Sequence, residues 1–208
     1  MSKRQSNATM QSEIFIVLMI VMVLLFIITS FYISKLKQHQ QPPLIVLDEA
    51  HGYSFSSSSA TLNSQFTLKL ESSVIKNIKE FAKTYKCDVV EVYGYTDGQP
   101  FSKITSGRQF FDEDVHECLV RGCDIDTIQT SSNLELGMKR AVSVVQFLQK
   151  KLIVSGTTIK TIRPYSGGAF IDAQGKIARV NATKRDRLRR RIEIRLSRSH
   201  DLRSFPAK

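Results

Sequence analysis

Residues Asp88–Gly98 read "DVVEVYGYTDG", and the fold turns on what this stretch is. Val89, Val90, Val92, Tyr93 and Tyr95 are the β-branched and aromatic residues that suit a pleated, half-buried surface. The stretch is therefore a strand, opened by Asp88 and closed by Gly98. Asp97 stands just before that glycine. An aspartate there is an ordinary turn residue, and it is also a carboxylate held at the tip of a strand.

Outward from this strand the elements alternate. Upstream, Phe66, Leu68, Leu70, Val74, Ile75, Ile78 and Phe81 recur mostly at helical spacing, which predicts a helix over 64–85. Before it, "LIVL" (Leu44–Leu47) reads as a buried strand, and "HGYSFSSSSATLN" as a short edge strand and turn. Downstream, 100–132 has no clear period, although "DVHECLV" allows a helical turn; loops of this length are uncommon and often functional. "NLELGMKRAVSVVQFLQKKL" restores a helix, with Leu134, Met138, Ala141, Val142, Val145, Leu148 and Leu152 on its apolar face and Asn133 as the expected N-cap. "TIKTIRPYSGG" is a strand running into a glycine turn, and "AFIDAQGKIARVNATKRDRL" is loop or broken helix. "RRRIEIRLS" is a last strand, with Ile192, Ile194 and Leu196 on one face and Glu193 and Arg195 on the other. Two long helices among about four strands predict an α/β sandwich, with helices covering one face of a small sheet.

The N-terminus is of another kind. Ile14–Ile33 carries no charge, and its only polar side chains are Thr29, Ser30 and Tyr32. About 20 residues at about 1.5 Å each cross a hydrocarbon core of roughly 30 Å. The run exceeds a signal-peptide core, no small-residue cleavage site follows, and no nearby cysteine offers a lipid site, so it reads as an uncleaved anchor. The expected organisation is a cytoplasmic tail over 1–12, a transmembrane helix over 13–34, a linker over 35–43, a domain over 44–198 and a tail over 199–208. Lys3 and Arg4 before the span nearly balance Lys35 and Lys37 after it, so orientation rests on the short tail and long C-terminal domain, which suit a cytoplasmic N-terminus.

The 208 residues are 42% hydrophobic and 24% charged, a globular balance, with a net charge of +11. Much of that excess lies between Lys176 and Arg198, and the run Lys184–Arg191 reads as a solvated face. Basic charge suits nucleic acid, anionic membrane or wall polymer alike, but no nucleic-acid motif is present and no such partner is expected. His39, His51, His116 and His200 are scattered, without metal spacing and without a nucleophile beside them, so neither an enzyme nor a metal site is expected. No cofactor is expected either. "FDEDVHE" and "CDID" are acidic but lack EF-hand spacing. Cys118 and Cys123 are close enough to close a small disulfide loop in an oxidising compartment, and Cys87 reads as a small buried hydrophobe.

Four pieces, "VYGYTDG", "NLELGMKRAVSVVQFL", "IRPYSGG" and "RRRIEI", in this order and spacing, resemble the OmpA-like peptidoglycan-binding domain. The resemblance spans roughly Leu44–Arg198. It implies a site for the diaminopimelate of a peptidoglycan stem peptide, whose ammonium and carboxylate sit on one carbon. Asp97 would take the ammonium and Arg140 the carboxylate, an acid and a planar donor fork facing each other. Thr96 and the helix start at Asn133 would add donors, Arg190 would be a secondary contact, and Leu136 would pack. Arg189 stands where the family often has Asn, and the loop between Asp97 and Asn133 is longer than the family's.

An OmpA-like domain on a single N-terminal span, with Glu13 at the lip of "EIFIVLMIVMVLLF", resembles the B subunit of stator-type ion-driven motors: flagellar MotB-like proteins and the related ZorB subunit of Zorya antiphage defence. Glu13 stands where that family typically has Asp. Acids inside a membrane are costly and commonly mark ion pathways. The resemblance implies a bacterial inner-membrane protein with a periplasmic C-terminal domain, two copies of it inside a pentameric ring of multi-span, MotA-like A subunits, and Glu13 as ion carrier. The short tail and the departures from the pattern favour the defence system over the flagellar one. The alternative is a passive tether between inner membrane and wall, for which Glu13 would be a solvated end-marker.

Overall fold

The computed structural model describes residues 2–39, 41–100, 111–153, 156–179 and 185–199. The expected loop therefore has its 101–110 portion outside the described residues, as are Lys184 and the expected tail from His200 onward.

The chain divides into two compact units, Met1–Gln40 and Gln41–Lys208. The first is the helix α1 (Ser2–His39), longer at both ends than the apolar run that nucleates it. Its stretch Glu13–Leu36 is long and apolar enough to cross a membrane, and its large apolar side chains are all exposed. The Thr29 hydroxyl donates back to the carbonyls of Leu25 and Phe26, at 2.8 and 3.0 Å, so it needs no partner off the helix.

The second unit is a four-stranded sheet in the order β1-β4-β2-β3, from β1 (Ile45–Asp48), β2 (Val89–Tyr95), β3 (Thr161–Gly168) and β4 (Arg191–Ser197). β4 runs antiparallel to both β1 and β2, and β2 runs parallel to β3. Pro164 is tolerated in β3 because that strand is an edge, where a missing N–H leaves no ladder bond unmade. β1 is also an edge, so Val46 is exposed while Leu47 faces the core; "LIVL" is a half-covered strand and not a buried one. "HGYSFSSSSATLN" forms no strand. It begins on the last residue of a 3-10 turn, Glu49–His51, and continues as loop whose Tyr53 and Phe55 meet Phe66 edge-on at 5.3 and 5.0 Å. Two aromatic rings seeking the core, and not strand pairing, produced that alternation.

The helix expected over 64–85 is α2 (Ser64–Lys69) and α3 (Ile75–Tyr85), joined through a π turn at Leu70–Val74 and capped by Asn63, which accepts from Phe66 N at 2.8 Å. α4 (Phe111–Arg121) occupies the part of the long loop where a helical turn was allowed. α5 (Asn133–Leu148) begins one residue after its cap. Ser132, not Asn133, is the N-cap and accepts from Glu135 N at 3.2 Å, while Glu135 turns back to Ser131 N at 2.5 Å. α2, α3 and α5 cover one face of the sheet, and Phe66, Leu70, Ile78, Val90, Val92, Val144, Leu148, Ile192 and Ile194 form the core between them. A second, smaller core joins Cys118, Ile125 and Ile128 of the insertion to Ala60 and to Val142 of α5. Cys118 and Cys123 form a disulfide there, and Cys87 is buried in the main core.

The other sheet face is layered with rings and guanidiniums. Tyr93 stacks on Tyr165 at 4.8 Å, Arg195 lies over Tyr93, and Arg191 lies over Tyr95. Glu193 faces away from the helices as the strand pattern requires, yet it is buried between Arg191 and Arg195, each at 2.8 Å.

Candidate functional site

Three strand ends meet at one edge of the sheet. Asp48 pairs with Arg191 across β1 and β4, and Gly94 with Ile192 across β2 and β4, so the residues just beyond the ladders come together: Glu49 after β1, Thr96 and Asp97 after β2, Arg190 before β4. α5 is brought to the same edge by a glycine contact. A Cβ on Gly94 would run into the carbonyl oxygen of Gly137, and a Cβ on Gly137 would lie 2.7 Å from the Gly94 oxygen. Only two glycines let helix and strand backbones approach this closely. One turn after Gly137, Arg140 projects into the same region.

Arg140 is almost fully buried, 2% exposed, and Asp97 is 6% exposed. Arg140 Nε donates to the Ser59 carbonyl at 3.0 Å and a terminal nitrogen to the Ser56 carbonyl at 3.4 Å, with the guanidinium over the Phe55 ring. Burial, and then the positive charge of Arg190, push its pKa down to about 10, with Asp97 and Glu49 opposing. It stays charged at neutral pH, buried and with a second guanidinium nearby, and both disfavour its charge. An incoming carboxylate would offset both.

Asp97 and Arg140 do not form an ion pair. The one cation within 4 Å of Asp97 among the described residues is Arg190, whose Nε is 3.7 Å from Oδ2. Asp186 N reaches the same oxygen at 3.4 Å, and Oδ1 has no hydrogen-bond partner among the described residues. Two buried polar atoms beside the acid also lack partners, the Thr96 hydroxyl and Arg190 Nε. Buried polar groups are normally satisfied. A cluster of unspent donors and acceptors at the strand ends has the character of a binding site for a small polar group.

The other expected residues lie at the rim. Asn133 donates to the Gln99 carbonyl at 2.8 Å and ties the start of α5 to the chain after Asp97. Leu136 is buried and packs. The basic run is a solvated face only in part: Arg185 and Arg187 are exposed, but Arg189, Arg190 and Arg191 are all buried. Arg189 donates to the carbonyls of Ala169, at 2.7 Å, and Arg179, at 3.3 Å, fastening the connection between β3 and β4; Arg191 holds Glu193. Each guanidinium is buried because carbonyls or carboxylates meet it, which a count of charges along the chain does not show. Glu49 was not singled out from sequence. It accepts from Arg185 at 2.6 Å on one oxygen and from Arg190 on the other. Its signal was its place, directly after a strand that pairs with the arginine-led last strand. Among the described residues no group of three or more potential metal ligands is present.

No protein-family model matches the chain, and no curated protein matches it. Solved structures do. The structural neighbours of this chain are MotB periplasmic domains and OmpA-like domains. The periplasmic domain of Helicobacter pylori MotB is 19% identical over 77% of this chain and 78% of that one, with a TM-score of 0.44. A MotB-like protein from Desulfovibrio vulgaris is 14% identical over 74% of each chain, with a TM-score of 0.42. The OmpA-like domain of FopA1 from Francisella tularensis is 18% identical over 74% of this chain and 73% of that one, with a TM-score of 0.36. These are distant likenesses, and the functional case stands on the site itself.

Proposed function

We propose that this chain is the wall-gripping B subunit of an ion-driven stator complex of the bacterial inner membrane. The observation that carries it is the cluster at the strand ends, in which Asp97 Oδ1 has no hydrogen-bond partner among the described residues and Arg140 is a buried guanidinium not ion-paired to it. Asp97 takes the ammonium and Arg140 the carboxylate of diaminopimelate in a stem peptide, with the Thr96 hydroxyl as a further donor. The exposed apolar helix holds the protein in the membrane with its C-terminal domain in the periplasm. Glu13, the only charge between Arg4 and Lys35, carries the ion.

In this mechanism two copies stand within a pentameric ring of multi-span A subunits that completes the ion path. Protonation of Glu13 removes a charge from the lip of the span and lets the ring step, while the wall supplies the fixed reference that torque requires. The departures from the family's pattern favour a Zorya-type defence role over the flagellar one; a neighbouring reading frame for a multi-span A subunit beside helicase or nuclease genes is the observation that separates them. A passive tether would bind the wall equally well and would tolerate loss of the Glu13 carboxylate.

The test is sedimentation of the full-length protein, in detergent micelles, with purified sacculi. The protein is expected to pellet with them, and the Asp97→Asn/Arg140→Ala variant to stay in the supernatant. Wild-type protein left in the supernatant would refute the wall-binding role.

A further inference from the structure

Glu49 and Asp97 flank one guanidinium and are treated differently by it. The antiparallel pairing of Asp48 with Arg191 places the next residue of each strand, Glu49 and Arg190, side by side. Both Glu49 oxygens are committed, one to Arg185 and one to the terminal nitrogen of Arg190. Among the described residues Asp97 accepts a backbone bond from Asp186 N at 3.4 Å, and its one side-chain cation is the Nε of Arg190 at 3.7 Å, beyond hydrogen-bonding distance. That Nε is buried and unpartnered, although Arg190 is 8% exposed and a carboxylate lies beside it. Two acids compete for one arginine, and Glu49 holds it.

We propose that Glu49 is a positioning residue that keeps Asp97 available to a ligand ammonium by holding Arg190 away from it. The proposal rests on the ammonium-binding role given to Asp97 above. Without the Glu49 charge, Arg190 keeps a single strong acceptor in reach. A movement of about 1 Å brings its donors to the 2.7–2.9 Å of a charge-assisted bond with Asp97. That pair would neutralise the acid and fill the space an ammonium needs. Glu49 touches no ligand in this scheme, since both its oxygens are already occupied. It sets the charge state of the site through Arg190.

The experiment is calorimetric titration of meso-diaminopimelate into full-length protein in detergent micelles. Glu49→Gln is expected to weaken binding by about tenfold or more, the scale of one charge-assisted hydrogen bond. Glu49→Asp keeps the charge and is expected to stay within about threefold of wild type on the same scale. Glu49→Gln/Arg190→Gln removes the competing cation and is expected to recover most of what Glu49→Gln loses, which a merely structural role for Glu49 would not do. Wild-type affinity in Glu49→Gln, an Asp variant as weak as the Gln variant, or a double variant as weak as Glu49→Gln alone would each overturn the proposal. Asp97→Asn separates the two levels. If it binds like wild type, the ammonium site itself is wrong; if it is dead while Glu49→Gln binds normally, only the role of Glu49 falls.

Discussion

Arg140 and Gly137 lie one helical turn apart, and the site depends on both. The planar fork lets the guanidinium hold the Ser59 and Ser56 carbonyls from two nitrogens at once. Lysine keeps the charge but has no fork, so Arg140→Lys is expected to lose about tenfold or more in sacculus binding, the worth of one charge-assisted hydrogen bond. Gly137→Ala places a methyl group against the Gly94 carbonyl, which cannot move without shifting β2, and against the Ser166 hydroxyl, which can turn away only by giving up its bond to the Leu134 carbonyl. Overpacking of this kind costs about 1–3 kcal/mol, to be read as a lowered thermal midpoint by circular dichroism. At this scale the sequence was partly readable. Asp97 and Arg140 were singled out only through the resemblance of their motifs to the OmpA-like domain; taken alone, an aspartate before a glycine is an ordinary turn residue. Glu49 was not, because its importance comes from register: nothing in "LDEAHG" announces that Arg190 will stand beside it.

At the scale of elements, periodicity located the helices and the three long strands, since each buries one side against a common core. It failed where tertiary contact supplied the order. The "YSF" alternation comes from two rings packing on Phe66, and α4 is held by a small core and the Cys118–Cys123 disulfide. That insertion also supports the loop that grips Arg140: Ala60 lies in the small core, and the Thr61 hydroxyl donates to Asp126 at 2.6 Å. Replacing both cysteines by serine opens a short loop and is expected to cost about 2 kcal/mol on the chain-entropy scale, measured by chemical denaturation. The start of β2 gives a pH prediction. Burial raises the Asp88 pKa, but the Ser199 hydroxyl and backbone N–H, and Lys160, lower it further, to about 2. A carboxylate depressed below its unfolded value near 3.9 stabilises the fold above that value. That contribution is lost as the pH falls toward 2. The thermal midpoint of wild type is therefore expected to drop between about pH 4 and pH 2 more steeply than that of Asp88→Asn; parallel curves would exclude this role.

For the whole molecule, the proposed function gives the two compact units separate tasks, and separable variants follow. Glu13→Gln removes the one charge at the lip of the span without touching the second unit. It is expected to abolish ion-driven activity while A-subunit assembly, by co-purification, and sacculus binding stay intact. Full activity in that variant would leave the passive tether standing. The span itself was legible from composition, because a helix apolar on every side has few other uses. The proposed wall-binding role was suggested only by the combination of four motifs, since each is ordinary alone. The claim on which the rest depends is that Asp97 and Arg140 together receive one zwitterionic carbon centre. Titrating meso-diaminopimelate into arginine-¹⁵N-labelled protein tests it most directly. A saturable shift of the Arg140 Nε resonance is predicted, absent with the diamine-free analogue pimelate and absent in Asp97→Asn. An Arg140 resonance that does not respond, or that responds equally to pimelate, would contradict the account.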